Sequence, residues 1–97
     1  MLLLINDSGK DSFLQHALAL EYIKIGEEDK ARELFVEILD REPDYIGSYY
    51  HLAKLLERQS DRKGARSIYL KGMDAAKRVG DRHSLNELQG ALEELES

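Results

Sequence analysis

The chain has 97 residues, enough to bury roughly 60–70% of its unfolded surface in one small domain and too few for a second. One proline, seven glycines, 42% hydrophobic and 34% charged residues describe a helix-rich globular chain rather than a disordered or all-β one. The net charge of −5 argues against nucleic acid as a default partner, and the lack of cysteine excludes disulfides, thiolate metal sites and thiol nucleophiles, which fits a reducing cytoplasm.

The N-terminal MLLLI has too few apolar residues for a signal-peptide core of about 7–15 or a membrane span of about 20, and no basic region precedes it. It reads as neither export signal nor anchor. Asn6-Asp7-Ser8 matches a glycosylation acceptor, without consequence in a chain that is not exported, and NDSGKD reads as a turn into the first helix, so that residues 1–11 form an apolar tail and turn.

Apolar spacing then places the helices. A first, over about residues 12–25, carries Leu14, Leu18 and Tyr22 on one face, starts at a capping box of Ser12 and Gln15 and ends at Gly26. Glu27, Glu28 and Asp29 favour the start of a second, whose stripe is Ala31, Leu34, Phe35, Ile38 and Leu39 and which Pro43 stops. A third, over about residues 45–59, carries Tyr49, Leu52, Ala53 and Leu56. A fourth, from about Arg62, carries Ala65, Ile68, Tyr69, Met73, Ala76 and Val79; with Lys77 where Pro43 stood, it should run about a turn longer, to Gly80. The last helix, within residues 81–97, lines up Leu85, Leu88, Leu92 and Leu95, is capped by Asp81 or by Ser84 with Glu87, and turns Glu87, Glu93, Glu94 and Glu96 to water.

The stretch YYHLAKLLERQSDRKGARSIY repeats the pattern of QHALALEYIKIGEEDKARELF: Leu18 and Leu52, Ala19 and Ala53, Tyr22 and Leu56, Ala31 and Ala65, Phe35 and Tyr69 are each separated by 34 residues. That period and the order Leu18-Ala19, Tyr22, Ala31, Phe35, Pro43 resemble the tetratricopeptide repeat. The resemblance covers about residues 12–79 and implies an all-α fold: two antiparallel helical hairpins, residues 12–45 and 46–79, in a short right-handed solenoid, closed by a fifth, capping helix at 81–97. Small residues at Ala19, Ala31, Ala53 and Ala65 suit close helix crossings. The departures are Gln15 where the family favours a large aromatic, Ser60 in place of Gly26, Gly72 opposite Ile38, and the missing second proline. Gln15 predicts a less well packed end to the first hairpin; Gly72 predicts close approach of another backbone.

The resemblance implies binding rather than catalysis, in a concave surface lined by the first helix of each hairpin. Carried over by position, that surface presents Phe13, His16, Leu20 and Lys24, then Tyr50, Lys54 and Arg58, then Asn86. Tyr50, Lys54 and Arg58 share a face by their spacing of four. The groove is expected to be apolar at one end and cationic in the middle, suited to a peptide or protein with acidic and apolar character. Against this stands the plain reading of Lys54 and Arg58 as solvated helix residues. The family's clamp for C-terminal carboxylates needs a lysine and an asparagine where this chain has His16 and Leu20, so that type of binding is not expected.

Two further patterns bear on function. The first helix is apolar nearly all round, which suggests cover by MLLLI, a ligand, a second copy or further repeats, and makes a self-associating module the alternative. Charge falls in blocks: 11 acidic and 5 basic residues to Tyr45, 9 basic and 4 acidic over Ile46–Arg82, then 4 acidic and none basic. A cationic middle could pair with another copy or with an acidic partner, or could be ordinary solubilising charge. His16, His51 and His83 lie nearly one repeat apart, which repeat position explains without a metal, and His51 should point partly away from the groove. No phosphate loop, HExxH or serine elbow is present, so no enzyme, cofactor or small-molecule substrate is expected. A phosphate or nucleic-acid site built from Arg62, Lys63, Arg66, Lys71, Lys77 and Arg78 lacks aromatic interleaving.

Overall fold

The computed structural model describes residues 11–97; the expectations for MLLLI, the glycosylation triplet and the turn before Asp11 lie outside them. Five helices follow one another: α1 Ser12–Lys24, α2 Glu28–Arg41, α3 Gly47–Arg58, α4 Arg62–Val79 and α5 Arg82–Glu96. Each packs on the next in chain order, giving two hairpins and a closing helix.

The helix ends follow from local chemistry. At α1 the cap is Asp11 rather than the expected Ser12–Gln15 box, because the Asp11 carboxylate accepts from the free backbone N–H groups of Phe13 and Leu14 at 2.8 and 3.4 Å. α2 ends two residues before Pro43, whose carbonyl then accepts the Tyr49 hydroxyl. α3 is shorter than its apolar pattern suggested, since Tyr45 and Ile46 are used in the turn that bonds to Ser48 and Tyr49. α4 has 18 residues against the 14 of α2, the extra turn expected from the missing proline, and ends on Gly80 at φ +74°. Ser60 takes the left-handed backbone, φ +64°, that Gly26 takes at +83° in the first hairpin. Of the two caps open to α5, Asp81 serves, accepting from the Ser84 backbone and hydroxyl at 3.0 and 2.7 Å.

Phe35, Ile38, Leu52, Leu55, Tyr69 and Leu88 form the buried centre, with Ala19, Ala31, Ala53 and Ala65 fully buried at the helix crossings. The α1 stripe departs from expectation. Leu14 and Leu18 are 44% and 45% exposed, and the buried face of α1 is Ser12, Gln15 and Ala19. Leu52, the repeat mate of Leu18, is 2% exposed because α3 packs against both α2 and α4, whereas among the described residues α1 packs chiefly against α2 and meets α3 only around His16. Position in the array, not residue type, decides which of the two leucines is covered.

Gln15 does not loosen the first hairpin. It is buried, accepts from Arg41 and donates to Glu37 at 3.4 Å, while Arg41 also donates to Ser12 Oγ at 3.0 Å and Ser12 donates to Glu42 at 2.7 Å. A closed polar network replaces the large aromatic, and among the described residues no buried side-chain polar atom lacks a partner. Gly72 is approached by a side chain rather than by another backbone: a Cβ there would lie 2.7 Å from Tyr49 Cβ and 3.1 Å from Leu88 Cδ1. Gly72→Ala gains about 1 kcal/mol of helix propensity. Because Tyr49 Cβ sits at the root of its side chain and cannot swing aside, the overpacking cost of about 1–3 kcal/mol should win. A thermal melt of the variant should therefore shift downward; an upward shift would show that Tyr49 has room to move.

The charge blocks find a structural meaning. Arg58 and Arg78 of the basic middle reach back to Glu28 and Asp44 at 3.0 and 2.6 Å, and Arg66 reaches forward to Glu96. The basic middle thus bonds to both acidic flanks within the chain. Each such surface pair contributes at most about 1 kcal/mol.

Candidate functional site: the face of α1, α3 and α5

Two clusters on α1, α3 and α5 bring some of the expected groove residues together. In the first, His16 on α1 and His51 on α3 face each other with ring centroids 5.3 Å apart. His16 stands edge-on to Phe35 at 5.5 Å, near Tyr45 at 5.7 Å, with Nδ1 2.9 Å from Ser48 Oγ. His51 stacks parallel to Phe35 at 6.3 Å and meets Tyr50 edge-on at 5.6 Å. His51 therefore joins this seam instead of turning away from it. His83 lies elsewhere, on α5, 3.3 Å from Glu87, and among the described residues no group of three or more His, Cys, Asp or Glu side chains is placed to hold a metal ion.

Both seam histidines have pKa values below the ordinary imidazole range. Burial is the larger cause in each; the second is His51 for His16 and Arg58 for His51. The folded state then binds fewer protons than the unfolded chain, so this contribution to stability is complete above the unfolded histidine pKa of about 6.5 and is lost as pH falls through the lowered folded values. Melting temperature should drop between about pH 7 and pH 5, and a His16→Gln, His51→Gln double variant should show a shallower drop over that window. Equal slopes in wild type and variant would remove the seam as its cause.

The second cluster is a cleft of about 270 Å³ between α3 and α5, lined by Tyr50, Asn86, Glu87, Gly90, Ala91 and Glu94. It unites two expected groove residues, Tyr50 and Asn86. Lys54 sits with Nζ 5.7 Å from the Tyr50 ring centre. Leu20 is half-buried against the core, and Phe13 stands 68% exposed in the first turn of α1.

The groove cations are paired. Lys24 lies 3.1 Å from Glu21, Lys54 3.8 Å from Glu57, and Arg58 3.0 Å from Glu28. Each of the three cations expected along the groove thus has a carboxylate beside it, which the α3 residues alone did not show. Glu21 and Glu57 were legible as i,i+3 neighbours of Lys24 and Lys54. Glu28 was not, since its pairing with Arg58 crosses from one hairpin to the next. The acidic wall of Glu87 and Glu94 was read only as a solvated face of the cap.

Solution and crystal structures of a tetratricopeptide repeat domain protein from Salinibacter ruber superpose on this chain with TM-scores of 0.86 and 0.85. They share 40% and 39% identity over 89% and 90% of this chain, and 87% and 98% of theirs. This chain belongs to the tetratricopeptide repeat family. A protein from Bordetella parapertussis is similar at 30% identity, with a TM-score of 0.80 over 96% of this chain and 81% of its own. No protein-family model and no curated protein matches the chain. The tetratricopeptide fold is in general a protein-interaction fold, and no helix among the described residues is long and apolar enough to cross a membrane.

Proposed function

We propose that the face of α1, α3 and α5 is a docking groove for a peptide or a segment of a partner protein. One observation carries this: Tyr50 stands half-buried on the wall of the α3–α5 cleft, and its hydroxyl has no hydrogen-bond partner among the described residues. An aromatic ring with an open polar tip on a shallow surface depression is the kind of group that dominates interface energies. Leu20 adds apolar area, His16 and Asn86 add polar contacts, and Phe13 and Lys24 mark the far edge on α1. Acidic character in the partner would require displacing Glu57 from Lys54 and Glu28 from Arg58, so the pairing favours a partner held mainly by apolar and aromatic contact. The role is binding rather than chemistry.

A displayed random-peptide library selected on the purified protein supplies a test. Tyr50→Ala should weaken the selected peptides by about 1 kcal/mol or more at any salt concentration. Undiminished binding would place the surface elsewhere.

A second reading is favoured by the apolar outer face of α1. Leu14, Leu18 and Ile25, spaced by four and seven, are all exposed there, which suits association with a second copy. The tail that the same reading invoked lies outside the described residues. A molecular mass that stays monomeric over the accessible concentration range, and does not respond to Leu18→Glu, would remove it.

A further inference from the structure

The groove has an end whose chemistry goes beyond general peptide docking. Of the cations along α1 and α3, each has a carboxylate of its own, whereas Glu94 on α5 forms no ion pair among the described residues. Glu87 meets only His83, at 3.3 Å, which carries charge only when protonated. Both carboxylates line the same cleft as Tyr50 and the Asn86 amide. Its floor is opened by Gly90, where an added Cβ would meet nothing within 4 Å. The Tyr50 ring already attracts one cation, the Lys54 ammonium at 5.7 Å, but Glu57 balances that charge. The negative potential extends to Tyr69, whose hydroxyl donates to Glu57 and whose pKa is pushed up by burial first and then by Glu57, Tyr50 and Glu94.

We propose that the cleft between α3 and α5 receives a lysine or arginine side chain of the partner segment, with Tyr50 along its apolar stem and Glu87, Glu94 and Asn86 around its cationic head. This rests on the groove reading above and gives it a polarity: apolar contact toward α1, a basic anchor at α5. Charge complementarity favours this occupant. Glu94, which forms no ion pair among the described residues, and Glu87, which meets only His83, repel an acidic side chain, whereas a cation placed with them and beside an aromatic ring gains from both. A purely apolar side chain would leave the carboxylates to be desolvated unpaired.

The test uses three small probes on the full chain labelled with ¹⁵N, near pH 8 and at low salt, read by amide chemical shifts: N-acetyl-arginine N-methylamide, its lysine counterpart, and the uncharged norleucine counterpart. The two cationic probes should shift the Asn86, Gly90 and Glu94 amides saturably, roughly tenfold more tightly than norleucine. In a Glu87→Gln, Glu94→Gln variant, whose side chains are both exposed so that folding is preserved, that ratio should fall to about one. Equal binding of norleucine, unchanged cation binding in the variant, or no shift from either cation would each overturn the proposal. Failure here with Tyr50-dependent binding of selected peptides would leave the groove reading standing; peptides indifferent to Tyr50→Ala would sink the groove reading whatever the probes do.

Discussion

Phe35→Ala is expected to lower the unfolding free energy by about 3–5 kcal/mol, a large share of the roughly 5–15 kcal/mol available to a domain of this size. Phe35 is fully buried on α2 and is the ring against which both seam histidines pack, edge-on at 5.5 Å and stacked at 6.3 Å. Removing it costs the transfer free energy of the ring and leaves a cavity between α1, α2 and α3 that two polar imidazoles border. Urea unfolding should show a much lower midpoint with an unchanged slope; a loss below about 1 kcal/mol would mean the hairpins close without this ring.

Leu52→Ala and Leu18→Ala make the second large test, because the two leucines are the same position of successive repeats. Leu52 is 2% exposed between α2 and α4, so its truncation should cost about 2–5 kcal/mol. Leu18, at 45% exposure among the described residues, should cost less than about 1 kcal/mol if nothing further covers α1 in solution. A comparable loss at Leu18 would show that something covers α1, and a loss that grows with protein concentration would identify the cover as a second copy.

Much of the fold was legible because a tetratricopeptide array is built from local rules. The 34-residue offset, the small residues at crossings and the single proline each act within one hairpin, and from them followed five helices and the longer α4. Elements whose environment depends on neighbouring hairpins were not legible. Leu18 and Leu52 are the same letter in the same pattern, and only the packing of α3 between two helices separates them. Gln15 looked like a packing defect until Arg41, 26 residues on, completed its network. The site followed the same division. Tyr50 and Asn86 were placed by repeat position and do share a cleft. The cationic middle was inferred from one helix face, which could not show that Arg58 pairs with Glu28, 30 residues before it. Three of the basic block's arginines, Arg58, Arg66 and Arg78, bond across helices to the acidic blocks on either side.

Partners are expected to bind on the face of α1, α3 and α5. A peptide selected on the protein, titrated into the ¹⁵N-labelled chain and mapped by amide shifts, tests it most directly. The expected footprint covers His16, Leu20, Tyr50, Lys54, Asn86 and Gly90. A footprint on the opposite side, at Val36, Leu39 and Lys71 where α2 meets α4, or on the outer edge of α1 at Leu14, Leu18 and Ile25, would contradict it.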